Sequence, residues 1–528
     1  MNGKCKRIKS GVFMDWVPEV RIGLLAYRER NCNRSVPCPR EIGTAELLIA
    51  AQGWATALTS VPKEGSHVRV CGYHLPGIEA AKHDLLRYGP VEVEVPDLRP
   101  AQLCAGMERA RETALRQLRH RDMDDVLVSV DRVIANWLDP HSSWRQQAEA
   151  VLPLITGFST EMVRHGLPLL LDGLRAESIR AVLDAELGDH RVLDGFHAGS
   201  YAAGAPLILH VMSGNIPGLA ALPVLLSLVL KSAVLIKSAA GDPIFAALLA
   251  ESINEVDAEL ARCVLVTYWR GGDQAIETAA LGAADLVVAS GSDAAIAALA
   301  SRAPRRFIGH GHKISFAAVG KECLLDGESA QDVARRLAYD VCLWDQQGCL
   351  SPQLCYVESG GALTAHEFAA ALARALADYA VRLPPRQLGF EERAEVLRFR
   401  QQAEWHPGRT ALASPDSTDW SISIEEDADF APTCLNRCIR LKVVRELAEL
   451  AAALAPHRQL LEAAGLAVQA GRVQEISLML AGCGVHRVCA IGEMQRPALS
   501  WRQGGRPRIA DWVEWTVPES SARSDCPV

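Results

Sequence analysis

The spacing of apolar positions along the chain changes character in blocks, and each block predicts its own kind of element. Near the start, the apolar alternation of HVRVCGYHL and VEVEVPDL predicts two strands, and PGIEAAKHDLLRYG between them predicts a helix. From Arg99 to about Asp189 apolar residues recur three and four apart beside charged faces, as in ERARETALRQLRH and SIRAVLDAEL, which predicts helices. Between Pro206 and about Val319 short apolar runs take over: PLILHVM, SAVLIKS, CVLVTYW, DLVVASG and RRFIG. Alternating with helical stretches, such runs predict βαβ units and a parallel sheet with helices on its faces. The crossover helices are expected over Asp242 to Glu255, Asp273 to Ala280 and Asp293 to Ser301, each opening on an acidic residue suited to the positive end of a helix.

A second α/β region begins near His310 to Lys313: strand KISFAAV, helix SAQDVARRLAYDVCLW, loop DQQGCLSPQ, strand LCYVES and helix TAHEFAAALARALADYA. Gln401 to Pro432 is poor in regular pattern and rich in Pro, Ser and Asp, and reads as a long loop. A helical stretch from about Leu441 to Ala464, broken by Pro456, precedes a Trp- and Arg-rich segment, GEMQRPALSWRQGGRPRIADWVEW. The blocks divide the chain into 1–95, of no assignable role; 96–312, a helical lead-in and the parallel-sheet region; 313–440, the second α/β region; and 441–528.

Length and charge narrow the function classes. At 528 residues the chain exceeds the ~250–300 residues at which one core stops growing, so two or more large domains are expected. A net charge of -8 provides no basic field and argues against nucleic acid as a partner. The 15 cysteines are odd in number and form no compact framework from Cys5 to Cys526, so they read as free thiols in a reducing compartment. Lys4, Lys6, Arg7 and Lys9 are followed by a segment interrupted by Asp15, Pro18 and Glu19, which does not read as a signal peptide. The most apolar run, Ile216 to Leu230, holds two prolines and stops short of the ~20 residues that span a bilayer. It reads as a buried helix, and the cytoplasm is the expected location.

Few residues stand out as chemistry. Cys349, in DQQGCLSPQ, sits on a loop between a helix and a strand, where a thiolate can meet substrate; any cysteine of the fifteen can equally be a small buried hydrophobe. Cys342 and Cys355 lie in apolar patterns and read as core. Asn215, in HVMSGNIPG, can donate a hydrogen bond to a developing oxyanion or can simply be the turn residue of Gly-Asn-x-Pro. Lys237 ends a strand at the edge where α/β sheets bind ligands, and a solvated strand-end lysine is the competing reading. Gly291 and Ser292 open a helix, where backbone amides can hold a phosphate. His310 and His312 lack a third ligand at metal spacing, as do Cys32 and Cys38, and no metal is assigned. No GxGxxG or Walker signature follows the first strand of the parallel region.

Taken together, HVMSGNIPG, VLIKSAAGD, DQQGCLSPQ and VHRVCAIGEMQRPALSWRQGGRPRIADWVEW resemble the LuxC family of acyl-CoA reductases, within the aldehyde dehydrogenase superfamily. The likeness runs from about Val192 to Pro518. It implies an α/β, aldehyde dehydrogenase-like fold: a Rossmann-like cofactor domain without its glycine fingerprint, an α/β catalytic domain holding the cysteine, and a closing segment that returns to the cofactor domain and carries an oligomerisation element. By the same resemblance Cys349 is the nucleophile and Asn215 with the Cys349 amide forms the oxyanion hole. Lys237, Gly291, Ser292, Ser213 and Gly214 approach NADPH.

One departure bears on the chemistry. Hydrolytic members of the superfamily carry Glu-Leu-Gly-Gly-Lys, whose glutamate activates water, whereas this chain has His310-Gly311-His312-Lys313 there. An acyl-cysteine without that carboxylate lasts long enough for hydride to reach it. The expected reaction is NADPH-dependent reduction of an acyl-CoA or other acyl thioester to an aldehyde, with His312 or His310 giving the proton. An acyl-activating synthetase is an expected partner, and a homo-oligomer the expected assembly. The alternatives are an oxidative, CoA-acylating aldehyde dehydrogenase and an acyl-carrying protein without redox activity.

Overall fold

A computed structural model describes residues 67–519, so the expectations on a leader segment and on Cys32 and Cys38 lie outside the described residues. The first sheet has three strands, β1 (Val68–Cys71), β2 (His83–Tyr88) and β3 (Val91–Pro96), in the order β1-β3-β2. β2 replaces the helix expected over PGIEAAKHDLLRYG: Gly89, at φ 54°, turns the chain so that Tyr88 pairs with Val91 and His83 with Pro96. The helical spacing of Leu85 and Leu86 was local, while the pairing partner lies across the turn.

Five helices follow, Pro100–Arg116, Met123–Leu138, Ser143–Thr156, Thr160–Asp172 and Ala176–Leu187, as their periodicity predicts. The second turns Val126, Val130, Val133, Ile134 and Trp137 inward. Trp137 Nε1 donates to Ser252 Oγ at 2.8 Å, pinning this lead-in to the helix Phe245–Val256 of the next layer.

After β4 (Tyr201–Gly204) come five parallel strands: β5 (Leu207–Val211), β6 (Ala233–Lys237), β7 (Val264–Thr267), β8 (Leu286–Ser290) and β9 (Arg306–His310). Their order is β7-β6-β5-β8-β9, so the chain reverses direction across the sheet between β5 and β8. The crossover helices Phe245–Val256, Gln274–Ala283 and Asp293–Ala300 stand where expected. The acidic residues before the first two are caps: Asp242 accepts the amide of Phe245 and Asp273 that of Ile276. The apolar run centres on the helix Ala221–Val229, whose residues are nearly all buried. No described helix is long and apolar enough to cross a membrane.

His210, on β5, is 2% exposed, sits over Trp512, and hydrogen-bonds Ser227 Oγ at 3.1 Å. Burial pushes its imidazole down to about 3. The unfolded chain takes up this proton near 6.5 and the folded one does not. The neutral ring therefore contributes stability fully above pH 6.5 and loses it, by about 1.4 kcal/mol per pH unit, as pH falls toward 3. His210→Gln is expected to flatten the fall in melting temperature between pH 6.5 and 5; an unchanged acid limb would assign the proton uptake to other groups.

The second large sheet comprises β10 (Ile314–Val319), β11 (Pro352–Glu358), β12 (Arg409–Ala413), β13 (Ser421–Glu425), β14 (Cys438–Val444), β15 (Leu461–Ala467) and β16 (Arg487–Ala490). Its order is β12-β13-β14-β11-β10-β15-β16, parallel except for the β12–β13 pair. Two expectations fail here. The loop expected over 401–432 contains β12 and β13, and the helix expected over 441–464 is two strands, β14 and β15, flanking short helical turns.

The reason is visible in β13. All five residues of SISIE are buried, and Glu425 is neutralised by Arg440 and by Lys442 Nζ at 2.7 Å, with Ser423 Oγ also donating to it. A buried strand carrying paired polar residues does not show an apolar run. The chain closes with β17 (Val513–Thr516), which pairs antiparallel with β4. Just before it, the Glu186 carboxylate accepts the amides of Arg508, Ile509 and Ala510 at 2.7, 2.8 and 3.0 Å.

Candidate active site

The helix Gly327–Cys342 ends one turn above β11, and the residues between them carry the thiol. Trp344, Asp345 and Gln346 all have positive φ, 55°, 49° and 62°, a left-handed run that costs non-glycine residues ~1–2 kcal/mol each. It persists because its members are locked from outside. Asp345 Oδ1 takes Arg437 Nε at 2.7 Å and its Oδ2 takes the amide of Arg386 at 3.0 Å, while Gln346 Nε2 donates to the carbonyls of Pro352 and Cys438. Gly348 is closely packed: a Cβ there would lie 3.1 Å from Ile216 Cδ1 and 3.2 Å from Gln495 Oε1, so those side chains would have to give way.

Cys349 is exposed. Its carbonyl accepts Ser315 Oγ at 2.7 Å, and the same hydroxyl accepts the amide of Ala463 at 3.2 Å. One serine thus ties the amino ends of β10, β11 and β15 together. Desolvation by the surrounding protein pushes the thiol up to about 12, the Glu462 carboxylate pushes it the same way, and its own amide N–H and the Lys313 ammonium oppose both. At that value the thiol is protonated at neutral pH. A carboxylate also stands near it after all, supplied by β15 rather than by the 310–313 segment.

Asn215 comes from the loop after β5 and meets the Cys349 loop: its Nδ2 donates to the Gln347 carbonyl at 2.6 Å. One amide proton of Asn215 is committed there. The terminal block reaches the same loop. Asp340 accepts the amides of Gly492 and Met494, and Gln495 Nε2 bonds Ser351 Oγ. Burial pushes Asp340 up to about 7 despite those two donors.

His312 is exposed and its backbone amide donates to Asp293 Oδ1 at 2.9 Å; no hydrogen bond links its ring to Cys349. His310, half-buried, is pushed down to about 4 by burial and by the charges of Arg508, Arg506 and Lys313. It is a neutral imidazole at pH 7.

Around the carboxyl edge of the five-stranded sheet, Lys237 is half-buried, with Nζ 5.5 Å from the centre of the Tyr268 ring. Burial lowers its ammonium, opposed by Glu277, and no carboxylate among the described residues pairs with it. Gly214 packs on the neighbouring loop, since its Cβ would lie 2.8 Å from Ala239 Cβ and 2.9 Å from Gly241; Ser213 beside it is half-buried. Ser292 caps its helix by accepting the amide of Ala295 at 3.3 Å. The Gly291 amide donates to the His310 carbonyl at 3.2 Å, continuing the β8–β9 ladder.

A nicotinamide dinucleotide fits this edge. The hydroxyls of Ser238 and Thr267, at the ends of β6 and β7, are buried without a partner, and Lys237 adjoins both, preceding Ser238 in the chain and pairing with Thr267 across the strands.

Two parallel α/β layers, with a thiol between the edge of one and a ligand-binding edge of the other, define an aldehyde dehydrogenase fold. The Δ1-pyrroline-5-carboxylate dehydrogenase of Mycobacterium tuberculosis superposes with a TM-score of 0.65 at 12% identity, covering 95% of this chain and 99% of that one. The profile of the family described as acyl-CoA reductase (LuxC) matches residues 118–508, and the chain belongs to that family. It is 25% identical over 327 residues to the long-chain acyl-protein thioester reductase of Aliivibrio fischeri, covering 60% of this chain and 66% of that protein. With the protein of the same name from Photorhabdus luminescens it shares 29% identity over 273 residues, covering 49% and 54%. The matched region thus spans about half to two thirds of those relatives' length.

Sequence reasoning missed Glu462, Ser315, Asp340 and Arg437. LLEAAG reads as helix, and Asp340 and Arg437 act only through partners far along the chain. Lys313 is visible in the His-Gly-His-Lys motif, but its effect on the Cys349 thiol arises only on folding.

Proposed function

We propose that this chain reduces a long-chain acyl thioester to an aldehyde, holding the acyl group on Cys349 and drawing hydride from NADPH. The observation that carries the reading is an exposed thiol on a loop bound by Asn215 from the layer that offers the dinucleotide edge. Family membership and the relatives' printed activity support it.

The Cys349 sulfur attacks the acyl carbon and expels the donor thiol, while the second Asn215 amide proton and the Cys349 N–H hold the oxyanion. A nicotinamide cofactor at the strand edge would be held by Lys237 and the hydroxyls of Ser238 and Thr267, and would supply the hydride that reduces the acyl-cysteine. Asn215 and the Cys349 amide again stabilise the oxyanion, whose collapse releases aldehyde and the cysteine sulfur. Lys237 suits the phosphates of the cofactor. Asp242, the one carboxylate in the turn after β6, is spent on the amides of Gly218 and Phe245, leaving none for the ribose 2′-hydroxyl that NAD-selective sites bind. That favours NADPH over NADH. The donor is acyl-CoA or, as the relatives' name carries, an acyl group on a protein, with an acyl-activating synthetase as the partner and a homo-oligomer as the assembly.

The test is a panel of labelled acyl-CoAs, first without and then with NADPH. Label is expected on Cys349 and then as free aldehyde. Label released as fatty acid, or retained whatever the nucleotide, would overturn the reading in favour of a hydrolase or an acyl carrier. A faster reverse rate with aldehyde, CoA and NAD would make the enzyme an oxidative dehydrogenase.

A further inference from the structure

We propose that Glu462 is the proton acceptor that ionises Cys349 and the donor that protonates the departing thiol. The inference deepens the thioester-reductase reading and rests on it. A thiol held at about 12 has almost no thiolate at neutral pH, so attack requires a base. Among the described residues, neither His310 nor His312 has a hydrogen bond to the loop.

Glu462 is placed for the task by its strand. It follows Leu461, which pairs with Ile314, and its neighbour Ala463 shares the Ser315 hydroxyl with the Cys349 carbonyl. Residue 462 therefore emerges at the same sheet edge as the thiol, and its charge is felt there. Its main chain is fixed by the amide of His486 on the Glu462 carbonyl at 3.0 Å. One carboxylate oxygen, Oε1, accepts the amide of Gly504 at 2.9 Å. Oε2 accepts no hydrogen bond from the described residues.

The residue is 1% exposed and has no ion pair among the described residues, although Lys313 and Arg508 face it from two other segments. A nearly buried carboxylate with one oxygen free of hydrogen bonds is placed to exchange a proton, and such groups concentrate where chemistry uses them. Burial raises its pKa above the ordinary carboxylate value, opposed by the Gly504 amide, Lys313 and Arg508, which suits a group that must both take and return a proton. Transfer runs through one water or by rotation of the side chain.

The step balances without another reactant. The S–H bond of Cys349 breaks as the proton goes to Glu462, the sulfur pair forms the bond to the acyl carbon, the donor's C–S bond breaks, and the departing sulfur takes the proton from Glu462. The carboxylate is regenerated and the acyl-cysteine awaits hydride.

The experiment measures acylation of Cys349 by a labelled long-chain acyl-CoA, without nucleotide, against pH, for wild type, Glu462→Gln and Glu462→Asp. In parallel, iodoacetamide alkylation of Cys349 reads the thiol alone. Glu462→Gln is expected to slow acylation at pH 7 about 10²–10³-fold and to lose the acid limb of the profile, with Asp intermediate. Its alkylation midpoint is expected to move to lower pH, because a negative charge has left the thiol. Acylation at the wild-type rate, or both reactions slowed alike as a distorted loop would do, overturns the proposal. If wild type takes no acyl label on Cys349, the reductase reading falls, and an alkylation midpoint unchanged by Glu462→Gln would separately refute the coupling.

Discussion

Cys349→Ala is expected to reduce aldehyde formation from acyl-CoA and NADPH by about 10⁴-fold or more, with no acyl label left on the protein. The argument is one of access. Cys342 and Cys355, the cysteines nearest in sequence, are fully buried in the core on either side of the loop, and burial pushes the Cys342 thiol up to about 11 and the Cys355 thiol higher still. Neither can reach an acyl carbon. Because Cys349 is exposed, its truncation leaves no cavity, and stability should change by no more than about 0.5 kcal/mol. Nicotinamide absorbance and gel-resolved label read the two effects separately. A variant that keeps more than about a hundredth of the activity would place the nucleophile elsewhere.

Asp345→Ala is expected to destabilise the protein by about 3–5 kcal/mol and to stop acylation with it. The Arg437 guanidinium is 0% exposed and lies 2.6 Å from Asp345 through Nη2, so removing the carboxylate strands a charge in the core. The same carboxylate holds the amide of Arg386, and the Asp345 carbonyl takes that of Asn436 at 3.2 Å. Asn436 Oδ1 in turn accepts Gln347 Nε2 at 3.2 Å, two residues before the thiol. Without these ties the left-handed run of Trp344 to Gln346 relaxes toward ordinary φ, carrying Cys349 off its position beside Asn215. Urea unfolding midpoints and acyl labelling check the two parts. Wild-type stability would show that Arg437 finds other partners, chiefly the Leu383 carbonyl it already meets at 2.7 Å.

The sequence was most informative where local pattern and tertiary role coincide. Strands such as LILHV and AVLIK, buried on both faces, announce a parallel sheet, and the acidic caps mark the crossover helices. Cys349 and Asn215 were found as motif residues, and the structure joins their loops through a single hydrogen bond. What could not be read is what depends on long-range pairing. HDLLRY is helical by spacing and a strand by its hairpin partner. SISIE looks like surface until Lys442 and Arg440 arrive from β14 to neutralise it. Glu462, in a stretch that reads as helix, shares a sheet edge with the Cys349 loop because β10 brings β15 and β11 together.

The clasp formed by residues 492–510 has a consequence for biosynthesis. Gly492, Met494 and Gln495 hold Asp340 and Ser351, Gly504 holds Glu462, and Arg508 to Ala510 are gripped by Glu186. All of these are translated well over a hundred residues after the cysteine whose surroundings they complete. On the ribosome, Cys349 therefore stands in an unfinished pocket until residues 492–510 have emerged and closed on it.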